Sequence, residues 1–133
     1  MEKENIFKLP IFATKISAGF PSPADDYMEG KLDLNKYLIK HPAASFFIRV
    51  IGDSMINAGI FDGDLLIVDR SLEALSGKIV IAVIDGDLTV KRLLKKQHKI
   101  YLAAENPNYS NIEIKDESSL HIWGVVTNVI HKL

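Results

Sequence analysis

Apolar and polar positions change their rhythm near residue 45. Beyond it, runs of branched and aromatic residues recur between turn formers: FFIRVI at 46–51, LLIVDR at 65–70, KIVIAVI at 78–84, LTVKRLL at 88–94, KIYLAA at 99–104 and HIWGVVTNVI at 121–130. Such residues pack well on a pleated, half-buried surface, so each run predicts a strand. Asp85 and Gly86 stand between two of the runs. A two-residue type I′ turn needs positive φ at both central positions, and this pair tolerates it, so residues 78–94 are expected to form one antiparallel hairpin. Residues 57–64, NAGIFDGD, supply turn chemistry after a short helical turn expected near Ser54, and Asn106, Pro107 and Asn108 mark a further loop.

Upstream, Leu34, Tyr37 and Leu38 recur at helical spacing, with Asp33 placed to cap and Pro42 to follow, which predicts a short amphipathic helix over 33–41. Residues 1–30 have no sustained period and are interrupted by Pro10, Gly19, Pro21, Pro23 and Gly30. They are expected to form an extended, mobile N-terminal arm ahead of a β-rich domain at 31–133. The fold class expected is mainly β, built of short antiparallel strands with one or two short helices. Within the arm, Ser17-Ala18-Gly19-Phe20-Pro21-Ser22-Pro23 has small residues at its centre and prolines that favour extended backbone. A protease cleft binds chain of that shape.

Length and composition narrow the function classes. With 133 residues, 47% of them hydrophobic and 25% charged, the chain suits one folded core. A formal net charge of −1 gives no general attraction to a phosphate backbone, so strong direct DNA binding is not expected. The absence of cysteine excludes disulfides, thiolate nucleophiles and Cys-based metal sites, and no metal or cofactor is expected. The N-terminal apolar stretch is broken at Lys8, Pro10 and Lys15, unlike a secretory signal, and no window has a membrane span's apolar length. A cytoplasmic protein is the expectation.

The candidate chemistry centres on Gly52-Asp53-Ser54-Met55, a polar opening between a strand and a turn. A serine hydroxyl needs an adjacent base to act as a nucleophile. The G-x-S-x-G pattern of the hydrolase elbow is not met, because Ile56 stands where the second glycine belongs. His41, His98, His121 and His131 occupy helix-end, turn or strand-end contexts, and spacing singles out none of them, so a Ser-His-Asp triad stays open. Strand alternation puts Thr89 and Lys91 on the face opposite Leu88 and Val90. By pattern alone Lys91 is a lysine on a solvated strand face.

Several ordered motifs then align with one family. The stretch from Ala18 to Tyr27 (AGFPSPADDY), Asp33-Leu34-Asn35, Gly52-Asp53-Ser54-Met55, Asp62-Gly63-Asp64 with Leu65 to Asp69, Thr89-Val90-Lys91 and Trp123-Gly124-Val125-Val126 together resemble the UmuD proteins, mutagenesis relatives of the LexA repressor. The resemblance implies a LexA- and signal-peptidase-like β-body, Ser54 as nucleophile and Lys91 as general base. It also implies an oxyanion hole formed by the backbone N–H groups of Asp53 and Ser54, and a scissile bond between Ala18 and Gly19. Enteric members carry cysteine before the scissile glycine, whereas this chain has Ala18, as LexA does. The partners implied are a second copy of the chain as homodimer, the RecA filament on single-stranded DNA as trigger, and a UmuC-type translesion polymerase that takes the trimmed dimer as a subunit. A non-catalytic polymerase accessory module is the alternative. A LexA-type repressor is disfavoured because eighteen residues before the cut cannot hold a helix-turn-helix domain, and a signal peptidase because no anchor is evident.

Overall fold

The turn signal at Asp85 and Gly86 is realised. In a computed structural model of the chain, which describes residues 6–13, 15–21 and 28–133, Asp85 has φ 49° and Gly86 φ 88°. They join β5 (Ile79–Ile84) to β6 (Asp87–Lys96), paired antiparallel from Ile79 opposite Arg92 to Ile84 opposite Asp87. Residues 22–27, the latter part of the stretch from Ala18 to Tyr27 that resembles the UmuD proteins, lie outside the described residues.

The chain divides into two compact units, residues 1–40 and 41–133. The second holds β3 (Ser45–Arg49), β4 (Leu65–Asp69), β5, β6, β7 (Lys99–Ala103), β8 (Ile112–Ile114) and β9 (Leu120–Ile130) in one seven-stranded sheet. Its order is β3-β4-β9-β5-β6-β7-β8, and every neighbouring pair is antiparallel. The mainly β, antiparallel expectation therefore holds. Short 3-10 turns at Pro42–Ala44, Ile56–Ala58 and Glu117–Ser119 are the helical elements of this unit.

The core lies in two clusters. One gathers Val50, Met55, Ile60, Leu66, Val68 and Ile81; the other gathers Val80, Ala82, Leu93, Leu102, Ile114 and Val125. Successive residues of β5 feed opposite clusters, which is why KIVIAVI reads as a continuous apolar run and not an alternating one. Each fully buried aliphatic side chain contributes about 1.5–3 kcal/mol by leaving water. Gly124 of β9 sits where strands cross closely: a Cβ there would lie 2.6 Å from Val68 Cγ1. Val68 is wholly buried and has no room to retreat.

The first unit departs from the sequence expectation. Residues 1–30 read as an arm without sustained elements, yet β1 (Lys8–Phe12) pairs antiparallel with β2 (Met28–Asp33), with Pro10 opposite Lys31 and Gly30 opposite Ile11. A two-stranded ladder consists of edges only, and an edge tolerates proline because the missing N–H need not bond. The contact boundary consequently falls between Lys40 and His41, where the sequence placed it near residue 30. The expected helix is α1 (Leu34–Leu38), capped as anticipated by the Asp33 carboxylate accepting from Lys36 N–H at 3.3 Å. It stops at Ile39, short of His41, and Leu34 and Tyr37 on its apolar stripe stay more than half exposed.

Candidate active site

Ser54 lies in the tight loop between β3 and β4, and several independent ties hold the loop. Gly52 adopts φ 97°, a conformation that favours glycine, and its N–H donates to Asp62 Oδ1 at 2.7 Å. Gly63 N–H donates to the Val50 carbonyl and Val50 N–H to the Asp64 carbonyl, which zips the two ends of the loop. Met55, the residue after Ser54, is buried in the core and anchors the turn from below. On the other side Glu105 N–H donates to the Ser54 carbonyl at 2.8 Å and Asn57 N–H donates to the Glu105 carbonyl at 2.9 Å. The Glu105 carboxylate pairs with Arg92, the neighbour of Lys91 on β6. The serine loop and the lysine strand are thereby tied through one acidic residue.

Lys91 Nζ lies 3.1 Å from Ser54 Oγ, 3.0 Å from Thr89 Oγ1 and 3.1 Å from the Val90 carbonyl oxygen. Lys91 is half-buried, not solvated as its strand pattern alone suggested. Burial pushes its pKa down by disfavouring the ammonium. Among the described residues no carboxylate comes within ion-pair distance of its Nζ to oppose that shift. The three neighbours also match a neutral amine: two N–H groups donate to Thr89 Oγ1 and the Val90 carbonyl, and the lone pair accepts from the Ser54 hydroxyl. This is the arrangement a base needs before it removes a proton.

The pair opens onto a cleft of ≈ 470 Å³ lined by Ile48, Arg49, Val50, Ile51, Gly52, Asp53, Ser54, Leu66, Ile81, Leu88, Thr89, Val90, Lys91 and Tyr109. Its walls are largely aliphatic, and among the lining residues there is no histidine. His41 instead pairs with Asp69 and His131 with Asp64, each through Nδ1 at 2.6 Å, so the Ser-His-Asp alternative finds no support at Ser54. One rim of the cleft is a strand edge. β6 pairs with β7 only from Arg92 to Lys96, so residues 88–91 have a strand partner on the β5 side alone among the described residues. An extended peptide laid along that edge satisfies its backbone by adding a strand.

Among the described residues the N–H groups of Asp53 and Ser54 have no acceptor, whereas the carbonyls of both residues accept hydrogen bonds. Asp53 is itself held: its Oδ1 accepts from the Tyr109 hydroxyl at 2.5 Å, and its carbonyl accepts from Asn106 Nδ2 at 2.9 Å. Hydrogen bonding to that carboxylate, with its charge, pushes the Tyr109 phenol up. Glu105, Asn106 and Tyr109 were not singled out from sequence, where Asn106 counted only as a loop marker. The available signal was the turn chemistry of Asn106-Pro107-Asn108, which says that the chain bends and not what the bend supports. Ala18 and Gly19 lie in the first unit, both exposed, with Gly19 N–H 3.3 Å from Ser17 Oγ. Among the described residues no group of acidic or histidine side chains could hold a metal ion, and no helix is long and apolar enough to cross a membrane.

The Peptidase S24-like family model matches residues 10–127. The chain is 50% identical over 123 residues to Protein SamA of Salmonella typhimurium, covering 92% of this chain and 85% of that protein. It is 48% identical over 124 residues to Protein ImpA of Escherichia coli, covering 92% of this chain and 83% of that one. Protein MucA of Escherichia coli is 45% identical over 124 residues, with 92% and 84% covered.

Proposed function

The chain belongs to the Peptidase S24-like family, and from that premise we propose that it is a self-cleaving serine endopeptidase whose Ser54 and Lys91 cut the bond between Ala18 and Gly19. The observation that carries this reading is the 3.1 Å approach of Lys91 Nζ to Ser54 Oγ in a half-buried setting without an ion-pair partner among the described residues. The relatives named above are UmuD-like, in keeping with the resemblance first seen in the motifs.

The chemistry follows from the atoms present. Neutral Lys91 takes the Ser54 proton as Oγ attacks the Ala18 carbonyl carbon. Negative charge develops on that carbonyl oxygen and is met by the N–H groups of Asp53 and Ser54, an effect worth about 3–4 kcal/mol per donor. Lys91 then gives its proton to the departing Gly19 nitrogen, leaving residue 18 esterified to Ser54. Water, deprotonated by the same amine, hydrolyses the ester and restores both side chains. Because the ordinary lysine pKa is near 10.4, the amine is neutral at pH 7 only where water is excluded. Entry of residues 18 and 19 into the cleft would supply that exclusion, so substrate binding and base activation form one event.

In this reading residues 1–30 act as the removable arm, a RecA filament favours the reactive arrangement, and the trimmed homodimer serves a UmuC-type translesion polymerase in the cytoplasm. The test is incubation of the chain with RecA on single-stranded DNA beside Ser54→Ala and Lys91→Ala. The wild-type chain should shorten while both folded variants stay whole. Shortening of either variant at the wild-type rate would remove the dyad, and an intact wild-type chain would leave a binding module in its place.

A further inference from the structure

Asn106 is buried, with 6% of its surface exposed, in a loop that lies beside the serine but offers no reactive group. Both polar atoms of its side chain and its backbone carbonyl are engaged. Its Oδ1 accepts from Asn108 N–H at 3.0 Å, which fixes Nδ2 as the atom facing Asp53, where it donates to the backbone carbonyl at 2.9 Å. Its own carbonyl accepts from Tyr109 N–H at 3.0 Å. A buried polar side chain satisfied at each end is rigid, and it transmits that rigidity to its partner.

The partner is the peptide unit joining Asp53 to Ser54. A trans peptide is planar, and its C=O and N–H point in opposite directions. Holding the Asp53 oxygen on the Asn106 side therefore turns the Ser54 N–H to the other side. Among the described residues the only other donor to that oxygen is Ile56 N–H at 3.4 Å, too long to fix the plane by itself. The next peptide is held in the same way by Glu105 N–H on the Ser54 carbonyl. The loop at 105–109 thus grips consecutive carbonyls of the serine turn.

We infer that Asn106 is a positioning residue of the oxyanion hole: by gripping the Asp53 carbonyl it aims the Ser54 N–H at the oxygen of the bond being cut. This rests on the proposed Ser54 and Lys91 chemistry and extends it to a side chain that touches neither substrate nor base. Loss of one oxyanion donor typically costs about 100- to 1000-fold in rate, and a donor left in place but unaimed costs part of that, about 10- to 100-fold.

The experiment follows release of the fragment beginning at Gly19 from wild-type, Asn106→Asp and Asn106→Ala chains between about pH 7 and about pH 10. Asn106→Asp keeps the shape and replaces the donor by an acceptor. Both variants should cut about 10- to 100-fold more slowly at every pH, with the inflection of the profile where the wild-type chain has it. A loss below about threefold in folded variants overturns the inference, and so does a displaced inflection, which would assign Asn106 to Lys91 instead. Should the variants not fold, hydrogen exchange of the Asn106 side-chain amide in the wild-type chain decides: slow exchange supports the grip, and exchange as fast as an exposed amide overturns it. A wild-type chain that releases no fragment defeats the function itself, and the inference with it, whereas a normal wild-type rate beside normal variants defeats the inference alone.

Discussion

Alkaline pH should accelerate cleavage in the absence of any partner, and the size of the effect follows from Lys91. With an ordinary pKa near 10.4, about one lysine in a thousand is neutral at pH 7.4 and about one in ten at pH 9.4, so a lysine-base rate climbs about 100-fold between them. The structure shortens that climb. Burial lowers the pKa of Lys91, and the acceptors beside its Nζ, Thr89 Oγ1 and the Val90 carbonyl, are neutral groups and not a carboxylate. The lowered pKa raises the neutral fraction at about pH 7.4 and makes the profile level off at a lower pH than an ordinary lysine would give. The assay is the initial rate of chain shortening at constant ionic strength, resolved by gel or intact mass, at half-unit steps over this range. The slope should approach one decade per pH unit below the inflection and flatten above it. A rate that stays constant across the range, or falls, would refute a lysine base. A single inflection near the ordinary histidine value would point to an imidazole that the cleft does not contain.

Other consequences are measurable on the folded chain. Gly124→Ala should lower stability by about 1–3 kcal/mol in urea titration, since its Cβ meets Val68 at 2.6 Å in a filled core; an unchanged midpoint would mean the strands separate freely there. Met55→Ala should cost about 2–5 kcal/mol, because a buried side chain beneath the serine turn is lost. Asp64 bears on acid stability. Burial alone would raise its pKa, but the Phe61 N–H and His131 outweigh burial and hold it below the usual 3.8. The unfolded chain then takes up this proton first as pH falls. The carboxylate's contribution is complete above the unfolded value and disappears as pH drops through the folded one. The stability gap between wild-type and Asp64→Asn chains should therefore close below about pH 4, and a gap constant with pH would contradict the sign.

The strands were legible where many residues agree. Each of the six long runs became a strand within a few residues of its expected ends, because burial on one or both faces imposes a pattern over five or more positions. Ile112–Ile114 of β8 is too short to show a period, and Pro10 and Gly30 hid a ladder that sequence punctuation argues against. The site was legible in a different way. Ser54 and Lys91 were marked by a family's motifs, while their meeting across 37 residues comes from pairing β6 with β5 and tying Glu105 to both sides, which no local pattern encodes. Asn106 illustrates the remainder: its turn chemistry was visible, but the carbonyl it grips lies 53 residues away.

Intact-mass analysis of the chain after alkaline incubation tests the account at its centre. It should find a new polypeptide beginning at Gly19 from the wild-type chain, and none from Ser54→Ala or Lys91→Ala chains folded as well as the parent. A new terminus elsewhere, or the same product from either variant, would contradict it.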